Sequence, residues 1–372
     1  MSKRAMWAQT LAFLVFLAVF FILMLALPKR ERSERENRML QTMPAFSFSA
    51  LFSGSFTTDF EDYITDQFPF RDSWTTLKAR CELLTGKDEN KGVFLCEDET
   101  LIEGFDAPDY DDLRLSLDAV QTLTENTDAA VYFALIPSAA EIWRDLLPDG
   151  APNDSQKDLI DYAYAYTDAH TVDLYSVLSG HVGEPIFYRT DHHWTTLGAY
   201  YGYAALTAAM GIPPLALAAY GPTVVTESFC GTTWSSSGFS WVRPESITTY
   251  VGQGDVTITN YPDGKPVPGT LYDSSFLNKK DKYSYFYGGN TPLREIETGN
   301  ADAPSLLIVR DSYMDSLSPD LFPHFSRISI VDLRYYRTSL SAYIGEKGFD
   351  NILVCYSVPN FSTDGNIFLA GR

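Results

Sequence analysis

Two of the five histidines in this 372-residue chain stand side by side, in Tyr188-Arg189-Thr190-Asp191-His192-His193-Trp194-Thr195. A carboxylate precedes them directly and a tryptophan follows. An imidazole beside an acid is the minimal general-base unit, because the acid fixes the ring tautomer and stabilises the imidazolium. In an extended backbone, side chains two apart share a face, so His193 falls on the side of Asp191 and His192 points away. Far downstream, Leu306-Leu307-Ile308-Val309-Arg310-Asp311-Ser312-Tyr313 is an apolar run that ends abruptly in Asp-Ser. It reads as a buried strand delivering Ser312 to its C-terminal tip. A serine hydroxyl is a weak nucleophile at neutral pH. It needs a base within hydrogen-bond reach, and the base needs an orienting acid. Asp191, His193 and Ser312 supply that unit, with His192 as the rival base.

The same residue types fit plainer roles. Adjacent histidines at a helix start commonly act as caps or surface hydrogen-bonding groups, and Asp-Ser is a common turn. A metal site built from Asp191, His192 and His193 is a second chemical reading. Consecutive histidines rarely both reach one ion, and the other three histidines are distant in sequence. Neither a metal nor a cofactor is expected. Acyl chemistry also needs donors aimed at the developing oxyanion. Backbone amides around Ser312 are the default. Asn290, in Gly288-Gly289-Asn290, is a side-chain candidate, against the plainer reading of a tight turn. Tyr313, Trp194 and His192 are further candidates for the oxyanion or substrate site. Arg334 follows Asp332 at a strand end. It suits a substrate carboxylate or phosphate, or a structural pair with Asp332 or Asp311.

The elements that must position these groups have an α/β pattern. Residues 131–136 are a continuous apolar run ended by Pro137, as a strand buried on both faces requires. Residues 172–174, 306–309, 328–333 and 351–356 read as further strands. Residues 111–126, 155–168 and 194–210 read as helices. Strands alternating with helices imply a mostly parallel sheet covered on both faces. Ligands then bind at the C-terminal strand ends, where Asp311, Ser312 and Asp332 fall. Between residues 213 and 298 the periodicity fails. This stretch is rich in Gly, Ser, Thr, Tyr and Trp, and reads as an inserted β-rich excursion near the active-site mouth. Upstream, residues 29–37 form a charged, helix-prone tether. Residues 56–84 show helical spacing interrupted at 67–71, and residues 93–95 and 101–102 make a short hairpin.

The net charge of −20 makes nucleic acid an unsuitable partner. Residues 6–27 are an uncharged apolar run preceded by Lys3 and Arg4. As a helix it is long enough for a bilayer core of about 30 Å. We expect an uncleaved anchor over residues 1–28 rather than a signal peptide, whose apolar region is usually shorter. The cations Lys29, Arg30, Arg32, Arg35 and Arg38 after it leave the orientation equivocal by charge alone. Of the four cysteines, Cys355 reads as a core residue, Cys81 and Cys96 are able to pair if exported, and no CxxC is present.

Asp191-His192-His193-Trp194 resembles the signature of the bacterial DHHW protein family. Glu36-Asn37-Arg38, Phe68-Pro69-Phe70-Arg71, Tyr283-Ser284-Tyr285-Phe286-Tyr287-Gly288-Gly289-Asn290, Asp311-Ser312-Tyr313 and Val331-Asp332-Leu333-Arg334-Tyr335-Tyr336 are similar to that family too, in the same order. The family in turn resembles the alginate O-acetyltransferases of the SGNH-hydrolase-like superfamily. Those carry an Asp-x-His-Trp motif and a distant serine as a catalytic triad. Asp191, His193, Trp194 and Ser312 fall on those positions. The resemblance implies a three-layer SGNH-hydrolase-like (flavodoxin-like) α/β sandwich over residues 129–372, after a tether and helical lead-in at 29–128. It implies an extracytoplasmic, membrane-anchored O-acetyltransferase or acetylesterase that works on a cell-surface or exported polysaccharide through an acyl-serine. The expected partners are a glycan or cell-wall polymer acceptor and a membrane-bound O-acyltransferase that supplies acetyl groups. The alternative on the same fold is a catalytically silent glycan-binding or scaffolding component of an envelope polysaccharide machine.

Overall fold

The computed structural model describes residues 2–36, 38–250 and 256–372. These form two compact units. The first holds residues up to 90 together with 235–240. It opens with helix α1 (Lys3–Ala26), whose side chains are all outside any protein core. The helix is long and apolar enough to cross a membrane. The tether that follows is not helical. Arg32–Ser33 pairs antiparallel with Arg38–Met39 instead, because its charged side chains are used sideways rather than along a helix face. A short helix, Phe48–Ser53, leads into helices α2 (Ser55–Asp66) and α3 (Arg71–Leu84). Arg38 donates to both carboxylate oxygens of Asp66, at 2.9 and 2.5 Å, and Arg71 lies 2.9 Å from Glu36. The two family-like segments of this region thus tie to one another and to the end of α2. Asn37, in the middle of the first, lies outside the described residues. Segment 235–240 also belongs here: Thr76 Oγ1 meets Ser240 Oγ at 3.0 Å. It is therefore not part of the body that holds the rest of residues 213–298.

The second unit is built on an eight-stranded sheet. Its parallel strands are β3 (Ala130–Ile136), β4 (His170–Val172), β10 (Ser305–Arg310), β11 (Arg327–Val331) and β12 (Asn351–Ser357), in the order β11-β10-β12-β3-β4. Strands β9 (Leu293–Glu297), β7 (Thr257–Asn260) and β8 (Val267–Pro268) extend the β11 edge antiparallel. A separate hairpin joins β1 (Val93–Leu95) to β2 (Leu101–Glu103), and another ribbon joins β5 (Pro222–Phe229) to β6 (Glu245–Tyr250). Part of the aperiodic stretch is therefore an edge of the large sheet. Its alternating segments are short because they cover only one end of the sheet.

Both sheet faces are buried, which is why the central strands read as unbroken apolar runs. Tyr132, Ala134, Ile308 and Leu353 point into one core with Trp194, Tyr203 and Leu317. Val131, Phe133, Val309 and Val354 point into the other with Leu117, Leu159 and Phe361. Helix α4 (Tyr110–Glu125) covers the second face. Asp109 caps it, and Leu113, Leu117 and Val120 recur at helical spacing. Strand β4 ends at Val172. Asp173 caps a short helix, Leu174–Ser179, so the expected strand at 172–174 is half helix start. Helix α5 (Thr196–Ala209) begins after Thr195, whose hydroxyl accepts from Gly198 N. Gly202 on α5 leaves room for the Trp194 ring, which would lie 2.8 Å from a Cβ there.

One buried acid makes stability depend on pH. Asp320 is 5% exposed, and burial pushes its carboxyl up to about 8 from 3.8. Between those values the native state keeps a proton that the unfolded chain has lost. Stability is then full below about pH 4 and falls as pH rises, by at most about 1.4 kcal/mol per unit for one proton. Asp320→Asn should raise the unfolding free energy at pH 8 by about 1 kcal/mol or more. The gain should vanish towards pH 4 in chemical denaturation.

Candidate active site

Residues 188–193 form a loop closed by a bridge between Phe187 and Trp194. Thr195 N donates to Ile186 O at 2.9 Å on the outer side. Buried backbone donors inside such a loop need partners. The Glu245 carboxylate supplies them, accepting from Arg189 N at 3.0 Å, Thr190 N at 2.7 Å and Thr190 Oγ1 at 2.5 Å. The loop presents Asp191, 3% exposed, towards the protein interior. Asp191 Oδ1 accepts from His193 N at 3.0 Å and lies 2.5 Å from His193 Nδ1. Asp191 Oδ2 accepts from Thr232 N at 2.7 Å and Thr232 Oγ1 at 3.0 Å. Burial alone would raise this carboxyl. The two imidazoles and the donors outweigh it and hold Asp191 well below the usual carboxylate range.

Ser312 follows β10. Its Oγ lies 2.7 Å from His193 Nε2. The turn that carries it is stitched to the neighbouring strand by buried Asp311. Asp311 Oδ1 accepts from Tyr313 N, and Oδ2 accepts from Ser357 N, Ser357 Oγ and Asn360 Nδ2 at 2.7–2.8 Å. The Tyr283 ring stacks on His193 with centroids 3.8 Å apart, and its hydroxyl donates to Ser312 O at 3.2 Å. The Ser312 amide makes no hydrogen bond among the described residues, which leaves it available as an oxyanion donor. A base bonded to a hydroxyl on one side and a carboxylate on the other can activate that hydroxyl as a nucleophile.

The other candidates divide. His192 Nδ1 meets Thr232 Oγ1 at 2.5 Å, and the side chain is 33% exposed. Burial and the adjacent imidazole push its pKa down to about 4, so it is neutral at physiological pH. Asp191, His192 and His193 each offer a ligand atom within a 4.8 Å group, but most of those atoms are engaged in the hydrogen bonds above. Trp194 is fully buried and donates through Nε1 to Tyr313 O at 2.9 Å, so it braces the Ser312 turn rather than lining a substrate site. Tyr313 is 1% exposed and its hydroxyl donates to His192 O, a structural role as well. Asn290 is exposed and accepts from Arg310 Nη1 at 3.2 Å. Arg334 is held by both oxygens of Asp332, at 2.9 and 2.7 Å, which is the structural pairing rather than a free anion clamp.

Sequence reasoning missed Thr232, Glu245 and Gly231. None carries a chemical signature, and all lie in the aperiodic stretch. Tyr283 was within reach, since it opens one of the family-like segments.

The sequence model of the DHHW protein family matches residues 111–331. The chain belongs to the DHHW family. A DHHW family protein from Eubacterium siraeum has a crystal structure with TM-score 0.66 and 25% identity, covering 76% of this chain and 95% of that one. PatB1 of Bacillus cereus, solved with a sulfonyl adduct, gives TM-score 0.62 at 21% identity over 74% of this chain and 97% of PatB1, a likeness of fold. The probable alginate O-acetylase AlgJ of Pseudomonas syringae pv. tomato is 27% identical over 186 residues, 46% of this chain. The chain spans about half the length of that relative, 47%.

Gly231 gives the site a direct test. A Cβ there would lie 2.2 Å from both Cβ and Oδ2 of Asp191. Gly231→Ala should push the carboxylate off His193 and slow labelling by an active-serine probe about 100-fold, as a displacement near 1 Å does elsewhere. The thermal midpoint should fall as well, so labelling is compared at a temperature where the variant stays folded.

Proposed function

We propose that this chain is a membrane-anchored, extracytoplasmic serine O-acetyltransferase or acetylesterase for a cell-surface or exported polysaccharide. The observation that carries the reading is the unbroken hydrogen-bond chain Asp191–His193–Ser312. Membership of the DHHW family and similarity to a probable alginate O-acetylase support the choice of acetyl and glycan. In this reading Ser312 Oγ attacks the acetyl carbonyl and His193 Nε2 takes its proton. Asp191 holds the Nδ1 proton and stabilises the imidazolium without becoming protonated. The Ser312 amide meets the developing oxyanion, with Asn290 as the side-chain candidate. His193 then returns the proton to the leaving group, and acetyl-Ser312 remains. A glycan hydroxyl, deprotonated by His193, attacks that ester and regenerates the serine. Water in place of the hydroxyl gives the esterase. A membrane-bound O-acyltransferase is the proposed supplier of acetyl groups. His192, neutral and bonded to Thr232, has a packing role.

Ser312→Ala and His193→Ala should each lower acetyl transfer or release by about 10⁴-fold, and the double variant should lose little more, because the pair acts as a unit. His192→Ala should cost far less. Full activity in either single variant would rule out the Ser312–His193 pair as the catalytic unit, and an inactive native protein would leave the silent scaffolding role. Helix α1 sets a second test, of topology. Protease added to intact protoplasts should remove everything after α1, and survival of the full domain would place it inside.

A further inference from the structure

A cleft of about 400 Å³ lies in the second unit next to the Ser312 turn, with Asp191, His192 and Tyr313 in its wall. Its remaining polar lining includes Glu103, Asp106, Asn360, Ser362 and Thr363, and neither Lys nor Arg lines it. Glu103 and Asp106 are exposed. Among the described residues neither forms an ion pair. Several of the polar side chains in the wall direct a donor inward. Asn360 Nδ2 donates to Asp311 at 2.8 Å. The hydroxyls of Ser362 and Thr363 donate to Pro359 O at 2.9 and 2.8 Å, so their free lone pairs are left for a ligand. Arg334, the cation whose field reaches His192, is committed to Asp332 and does not line the cleft.

The cleft therefore offers hydrogen-bond acceptors and negative charge, with few donors. Hydroxyl and ammonium groups satisfy such a wall. A carboxylate brought into it meets like charge without a cation to pair with, a repulsion that is strongest at low ionic strength. We propose that this cleft is the acceptor-glycan site and that it takes an uncharged or amine-bearing hexose chain and rejects a polyuronate. The proposal rests on the acyl-transfer reading for its biological meaning, and on the cleft lining for its chemistry. It separates this chain from a protein acting on alginate, whose every residue carries a carboxylate.

The test is binding without an acyl donor. The detergent-solubilised full chain is titrated at low ionic strength with hexamers of glucose, glucosamine and mannuronate. The glucose and glucosamine hexamers should bind about tenfold or more tightly than the mannuronate hexamer. In the double variant Glu103→Gln, Asp106→Asn, the preference for glucose over mannuronate should shrink about tenfold. Burial and the Asp191 charge push the Glu103 carboxyl up, so neutralising it relieves repulsion and the variant should keep or raise its thermal midpoint. Equal or tighter mannuronate binding in the native protein overturns the proposal. So does an absence of binding by all three hexamers, or discrimination unchanged in the double variant. Because acetyl transfer is not read, the predicted preference with an inert Ser312 would sink the catalytic reading and leave this one standing.

Discussion

The site depends on keeping a buried carboxylate charged. Asp191 is almost wholly removed from water, and an isolated charge in that position would cost several kcal/mol even after relaxation. Four hydrogen bonds to its two oxygens make it tenable: one amide and one ring from His193, one amide and one hydroxyl from Thr232. Each demand propagates outward. Thr232 can come that close only because Gly231 has no side chain. The loop that aims Asp191 inward must find partners for its own amides, and Glu245 provides them. The negative charge then fixes which ring nitrogen of His193 carries a proton, leaving Nε2 to accept from Ser312.

Ser312 is held by a matching device on the other side. Arg310 and Asp311 bracket the strand end before it, and both are buried. Asp311 reaches across to Ser357 and Asn360 at the end of β12. Arg310 lies 2.9 Å from Asp315, one turn beyond the serine. Buried ion pairs are poor stabilisers against an apolar alternative, since desolvation offsets most of the attraction. Their use here is geometric. The chain reverses direction at a point where two strand ends and a helix start are pinned together, and the hydroxyl cannot drift from the imidazole.

Much of this was legible from residue types. Central strands such as β10 and β12 announce themselves, because burial on both faces removes the polar alternation that confuses short segments. The spacing of Asp191 and His193 was legible too, since side chains two apart in extended backbone share a face. Thr232 was not, because a hydroxyl and an amide from 41 residues later acquire their role only when the chain folds back. The antiparallel edge strands β7, β8 and β9 were hidden for a related reason. They are short and one-sided, and sequence alone does not say which sheet they join. The charged segment before Arg38 misled in the opposite direction. Its composition suits a helix, but Arg38 is stabilised by carboxylates off the helix axis, and the tertiary ion pairs override propensity.

The aromatic residues complete the constraint. A tryptophan directly after the histidine pair looks like a sugar platform, yet Trp194 is buried and bonded to the backbone of the Ser312 turn. Tyr283 does the equivalent from the other side, stacking on the His193 ring while its hydroxyl holds Ser312 O. The imidazole is therefore fixed in its plane by stacking and within that plane by Asp191. A ring restrained in both senses spends little entropy reaching the reactive geometry, which is the condition under which positioned general bases are most effective. Aromatic bulk near this serine thus holds the imidazole, and in the proposed reading recognition falls to the polar wall of the adjoining cleft.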